Sequence, residues 1–131
     1  MTTRQRVSSA NPWEAVVGYS RAVRVGQHVW VAGTTAAAPD GGAPVGGDDA
    51  HAQAVEALRR VLAALAEVGA SPVDVVRTRM YVTDIDRWAD VGRAHGEVFG
   101  NVRPASTMVE VSRLIQPGLL VEVEAEAWVG D

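Results

Sequence analysis

The chain contains no cysteine and no lysine. The first absence removes disulfide frameworks and thiolate nucleophiles, and it fits a reducing cytoplasm. The second removes any Schiff-base lysine and the lysine of a P-loop, since all twelve basic residues are arginine. No stretch approaches the roughly 18 apolar residues of a membrane-spanning helix. The opening residues 1–10 are not followed by the apolar core, about 7–15 residues, of a secretory signal. The expected location is the cytoplasm, with no membrane partner. A net charge of −4 argues against a broad phosphate-binding surface, and so against nucleic acid as a partner.

What is there suits a globular fold. The 131 residues are 47% hydrophobic and 21% charged, ordinary values for one folded unit. We therefore expect a single domain over residues 1–131. Residues 1–20 read as irregular, with a turn at Asn11-Pro12. Ala22–Val25 and His28–Ala32 flank Gly26-Gln27, the pattern of a hairpin. The glycine-rich segment 39–49 lacks the Gly-Lys-Ser/Thr ending of a phosphate loop and reads as a surface loop. Asp48 or Asp49 then caps a helix to about Val68, with Val55, Leu58, Leu62, Leu65 and Val68 along one face. Gly69 ends it.

Val75–Thr83 is the next strand, with Val76, Thr78, Met80 and Val82 on one face and Arg77, Arg79 and Tyr81 on the other. Asp84 or Asp86 caps a second helix to about Phe99, with Trp88, Val91, His95 and Phe99 on one stripe. Two strands close the chain, Thr107–Leu114 and Leu120–Val129. In the last, Val121, Val123, Ala125, Ala127 and Val129 alternate with Glu122, Glu124, Glu126 and Trp128. The order β-β-α-β-α-β-β predicts an α/β (α+β) fold, one sheet with two helices on one face. The other face, near Trp30, Tyr81, Met108 and Trp128, then needs a cover, which predicts a homo-oligomer. Arg77 and Arg79 would lie opposite the glutamates of the last strand if the two strands are neighbours.

The chemistry-bearing residues exclude more than they assert. His28, His51 and His95 show no metal-ligand spacing, so no metal is expected. There is no Gly-x-Ser-x-Gly elbow, and Ser106, after Pro104-Ala105, sits where a hydroxyl usually satisfies backbone. The alternating glutamates fit an exposed strand face, although a carboxylate inside an oligomer cleft can act as a base toward water.

The run Arg103-Pro-Ala-Ser-Thr-Met-Val-Glu-Val-Ser-Arg-Leu114, followed by Val121-Glu-Val-Glu-Ala125, resembles the Rid (YjgF) family, best known for imine and enamine deaminases. The likeness covers nearly the whole chain. It includes Gly18-Tyr19, Val31-Ala32-Gly33, Val75–Thr78 through Tyr81–Asp84, and His95–Gly100. It implies a chorismate-mutase-like homotrimer with inter-subunit clefts for small carboxylate-bearing molecules. It also implies hydrolysis of 2-imino acids to 2-keto acids and ammonia without a cofactor. By the same resemblance, Tyr19 lines the cleft, the Gly33 backbone approaches the ligand, and Glu122 holds the attacking water.

Two positions depart from the family. The arginine expected after Pro-Ala is Ser106, and an asparagine expected on the second helix is Gly92. A guanidinium pairs both oxygens of a carboxylate, which a hydroxyl cannot do; the loss weakens carboxylate binding by about 1.5–3 kcal/mol. Arg103, three residues earlier, is the substitute the sequence offers; otherwise it serves a surface ion pair. Two functions therefore stand side by side: a hydrolase acting on a C=N bond, and a non-catalytic trimer that binds a small metabolite. Ribonuclease activity, ascribed to some relatives, sits poorly with the acidic balance and the lack of a basic aromatic patch.

Overall fold

A computed structural model describes residues 3–130. Its strands are β1 (Arg4–Val7), β2 (Ala22–Val25), β3 (His28–Thr34), β4 (Val75–Val82), β5 (Ala105–Glu110) and β6 (Val121–Trp128). The helices are α1 (Ala50–Glu67) and α2 (Trp88–Phe99). The strands form one sheet in the order β1-β2-β3-β6-β4-β5. The β4–β5 pair is parallel and every other pair antiparallel. The last strand thus enters the middle of the sheet, and β5 is left as an edge.

Local chemistry explains the element ends. The Asp49 carboxylate accepts from the Ala52 N–H at 3.1 Å, capping α1. Gly69 leaves the helix at φ +80°, a conformation that costs glycine least. The alternation in β6 works as read: Val121, Val123, Ala125 and Ala127 are buried against the helices. They meet Ala54, Ala57, Leu58, Val61 and Leu65 of α1, and Val91 and Phe99 of α2 join the same core. Small alanines on α1 let its backbone approach the sheet closely. Fully buried Gln53 ties the surrounding loops together. Its amide donates to the Gly47 and Gly118 carbonyls, and its oxygen accepts from Leu120 N–H.

Several expectations change. The N-terminal region is not wholly irregular, because Arg4–Val7 pairs with β2 as an edge strand. Val55 is 44% exposed, since alanines occupy the core stripe of α1. A bulge between Val75 and Arg77 sets one extra residue in β4. It turns Val75 inward and leaves Val76 outside, half exposed. Trp88 stands outside the α2 stripe, mostly exposed. The penultimate strand spans Ala105–Glu110 rather than Thr107–Leu114. Its register pairs Met108 with Met80, so Met108 faces the helices and not the open side.

The open face carries charge. Arg77 and Arg79 stand opposite Glu126 and Glu124 as the pattern suggested. Arg79 reaches Glu126 at 3.2 Å, and the Tyr81 hydroxyl donates to Glu124 at 2.6 Å. That bond pushes the Tyr81 phenol above its ordinary pKa. His28 stacks on Trp30 with centroids 3.7 Å apart, and Trp30 and Trp128 remain 41% and 52% exposed. Among the described residues, no helix is long and apolar enough to cross a membrane.

Candidate functional site

The site begins where β3 loses its regular register with β6, between Val31 and Thr34. Gly33 lies in that irregular stretch and faces Glu122 across the ladder. A side-chain carbon at Gly33 would overlap the Glu122 carboxylate. Any side chain here would have to displace the Glu122 carboxylate, a constraint of space and not of backbone conformation.

Arg21 organises the surroundings of that pair. Its backbone is fixed from both sides: its N–H donates to Val7 C=O, and its C=O accepts from Ala32 N–H. The guanidinium is buried, with 6% exposure. Nη1 donates to the Gly33 carbonyl at 2.6 Å and to the Thr34 hydroxyl at 2.8 Å. Nη2 donates to the Tyr19 hydroxyl at 3.2 Å. Nε faces the Glu14 carboxylate at 3.5 Å. Glu14, 7% exposed, lies on a short π-helical turn, Glu14–Gly18. It also accepts from the Ser9 N–H at 3.0 Å and from the Ser9 hydroxyl. Most of the five donors of Arg21 are thus committed, and at most one Nη2 N–H is left for a ligand.

Tyr19, Arg21, Gly33, Thr34 and Glu122 line one cavity of about 490 Å³, with Trp13 also in its lining. That volume suits a small metabolite. Burial raises the Glu122 pKa, with help from Glu124, while Arg21 lowers it. A carboxyl raised in this way is a better proton acceptor near neutral pH than an ordinary glutamate. Arg59 and Arg60 also line the cavity, and Glu56 binds each of them at 2.7 Å. Arg60 in turn donates to the Thr35 carbonyl at 2.8 Å. The hydrogen bond from Arg59 leads the causes that hold the Glu56 carboxyl down at about 2.

The sequence-derived residues therefore fall into two groups. Tyr19, Gly33 and Glu122 come together. Ser106 lies on β5, three strands from β3, roughly 14 Å away at ordinary strand spacing. Its hydroxyl accepts from Thr78 Oγ1 at 2.8 Å. Thr78 is fully buried and also bonds His95 Nε2 at 2.8 Å. Burial depresses the His95 pKa. Arg103 is exposed on a turn after α2 at φ +56°, and its N–H donates to Phe99 C=O. It does not line the cavity.

Arg21, Glu14 and the Thr78–His95 pair escaped the sequence reading. The available signal for Arg21 was its place two residues after Tyr19, at the mouth of a strand. Glu14 gave none, because its role depends on a turn of irregular backbone. Among the described residues, no group of three or more His, Asp or Glu could hold a metal ion.

Residues 9–129 match the family model described as endoribonuclease L-PSP. A Mycobacterium tuberculosis protein, Rv2704, described as a member of the YjgF/YER057c/UK114 family, has a solved structure that superposes with TM-score 0.88 at 54% identity; the match covers 97% of this chain and all of that one. A RutC family protein of Pyrococcus abyssi is 38% identical over 110 residues, 84% of this chain and 85% of its own. The human 2-iminobutanoate/2-iminopropanoate deaminase is 29% identical over 127 residues, 97% of this chain and 91% of its own.

Proposed function

The chain belongs to the YjgF (Rid) family, and from that premise we propose that it is a RidA-like protein whose cavity at Glu122 hydrolyses a small imine or related C=N compound. One observation carries this reading: a half-buried carboxyl with a raised pKa lies against Gly33, in a cavity also lined by Tyr19 and Arg21. An imine carbon is already electrophilic, so the protein need only orient the substrate and hold a water. Glu122 accepts the proton of that water as its oxygen bonds to the imine carbon and returns it to the nitrogen; the carbonyl then forms as the C–N bond breaks and ammonia leaves. Arg21 fixes the Tyr19 hydroxyl and the Gly33 carbonyl, and so the walls around the reacting carbon. No metal or cofactor takes part.

The same reading includes assembly. The open face, with Trp30 and Trp128 exposed beside the partly exposed Arg79, Glu124 and Glu126, is the surface three copies would share. Ser106 points to the helix side of the sheet, but it is exposed on the edge strand β5, and from that edge it would reach the cavity of a neighbouring copy, with Arg103 at the rim. The human relative named for deamination of 2-iminobutanoate and 2-iminopropanoate supplies the substrate class to try first.

The test is ammonia release from 2-aminoacrylate generated in situ. Release above the uncatalysed rate, lost in Glu122→Gln, supports the hydrolase. A second reading, a binding protein without turnover, is favoured by Ser106, which leaves no guanidinium at that position for a carboxylate. Its signature is thermal stabilisation by neutral ligands, but not by 2-keto acids, with no ammonia released.

A further inference from the structure

Ser106, Thr78 and His95 form a continuous hydrogen-bonded path from the surface of the edge strand to a half-buried imidazole on α2. Among the described residues, the side-chain hydrogen bonds of Thr78 and His95 run only within this path. The His95 ring also packs on Phe99, with centroids 4.8 Å apart. A threonine hydroxyl carries one proton. When it donates to Ser106, His95 must supply the proton of the other bond, from Nε2. The Ser106 proton is then free to point outward, and Ser106 is exposed. The path carries no formal charge while His95 is neutral, the form that its burial favours.

We propose that this relay makes Ser106 a specificity-determining contact for a neutral hydrogen-bond acceptor on the ligand, an amide or ester carbonyl. A guanidinium at the same place would select a carboxylate instead. Thr78 and His95 are positioning residues: they orient the Ser106 hydroxyl as a donor, and bonds in such a chain reinforce one another. A lone hydroxyl would turn freely and serve donors and acceptors alike. A carboxylate, by contrast, would meet at this position a single neutral donor in place of the paired charged donors of a guanidinium. The inference rests on the proposal that Ser106 faces a neighbouring copy's cavity.

Two measurements test it separately. The first needs no ligand. Imidazole ¹⁵N spectra of the full chain should show His95 as the Nε2–H tautomer. In Ser106→Ala, Thr78 loses its acceptor and turns its proton toward Nε2, so His95 should become mainly Nδ1–H. A tautomer unchanged between the two proteins overturns the relay. The second measures binding of 2-oxobutanamide and 2-oxobutanoate by calorimetry. The wild type should bind the amide at least fivefold more tightly than the acid. Thr78→Val and His95→Phe should abolish most of that preference, and Ser106→Arg should reverse it. Full preference retained in Thr78→Val and His95→Phe overturns the role of the path. If neither probe binds the wild type, the cavity reading fails, and the tautomer alone decides whether the relay exists.

Discussion

Replacing Arg21 by methionine should be the most damaging single change near the cavity that leaves the hydrophobic core intact. The substitution keeps an apolar stem but deletes the guanidinium. Glu14 then stays buried, at 7% exposure, with its charge uncompensated. Removing one partner of a buried pair costs about 3–5 kcal/mol. Glu14 keeps its two bonds from Ser9, which places the expected cost near the lower bound, about 3 kcal/mol. With a urea m value of about 1–3 kcal/mol/M, that lowers the unfolding midpoint by roughly 1–3 M. Urea titration at one fixed protein concentration measures it, because any assembly makes the midpoint concentration-dependent. The double variant Arg21→Met, Glu14→Met removes both charges and should recover a large part of the loss, a coupling of about 1–3 kcal/mol. If Arg21→Met costs less than about 1 kcal/mol, or if the two losses simply add, Arg21 and Glu14 are not an energetically coupled buried pair.

The remaining predictions concern the carboxylates and Gly33. Glu122 must be ionised to accept a proton, and its pKa is raised, so the acid limb of ammonia release should lie above the ordinary carboxylate range; Glu122→Gln should abolish turnover. The same raised pKa means that folding favours the protonated form. Wild-type stability should therefore fall as pH rises from 4.5 toward the folded value, whereas Glu122→Gln stays flat across that interval, as pH-dependent thermal melts would show. Gly33→Ala should drive the Glu122 carboxylate toward solvent, returning its ¹³C-detected titration toward 4.5 and cutting turnover with it. The Glu56 carboxyl is depressed to about 2, so it stabilises the fold above 4.5 and loses that contribution as pH falls from 4.5 to about 2. Glu56→Gln should flatten acid unfolding in this window and cost only about 0.5–1 kcal/mol at neutral pH, the worth of surface pairs.

Regular periods were legible in the sequence, and their interruptions were not. The β6 alternation, the β2–β3 hairpin and the cap at Asp49 each follow from a local rule, and each stands where expected. The bulge at Val75–Arg77 adds one residue and reverses the sides of Val75 and Val76 without altering composition. Val55 was drawn into the α1 stripe because valine outranks alanine in hydrophobicity. Close packing chose Ala54 and Ala57 instead. β5 pairs in parallel with β4, which depends on the route of α2 and not on residues within β5. At the site, likeness to a family pointed to Tyr19, Gly33 and Glu122, which do converge. The Arg21–Glu14 clamp joins a strand entry to an irregular turn, and no spacing rule links such positions.

The separation of Ser106 on β5 from Glu122 on β6, with β4 between them, has a genetic corollary. On the proposed assembly, the cavity takes Glu122 from one copy and Ser106 from the next, and so would not belong to a single polypeptide. Chains carrying Glu122→Gln and chains carrying a Ser106 variant that no longer binds the substrate would restore some intact cavities when expressed together. Such interallelic complementation would be impossible if both residues served the same cavity from within one chain. Conversely, a well-folded Glu122 variant in excess would intermix with normal chains and disable cavities in proportion to its share, so heterozygous loss would be partly dominant.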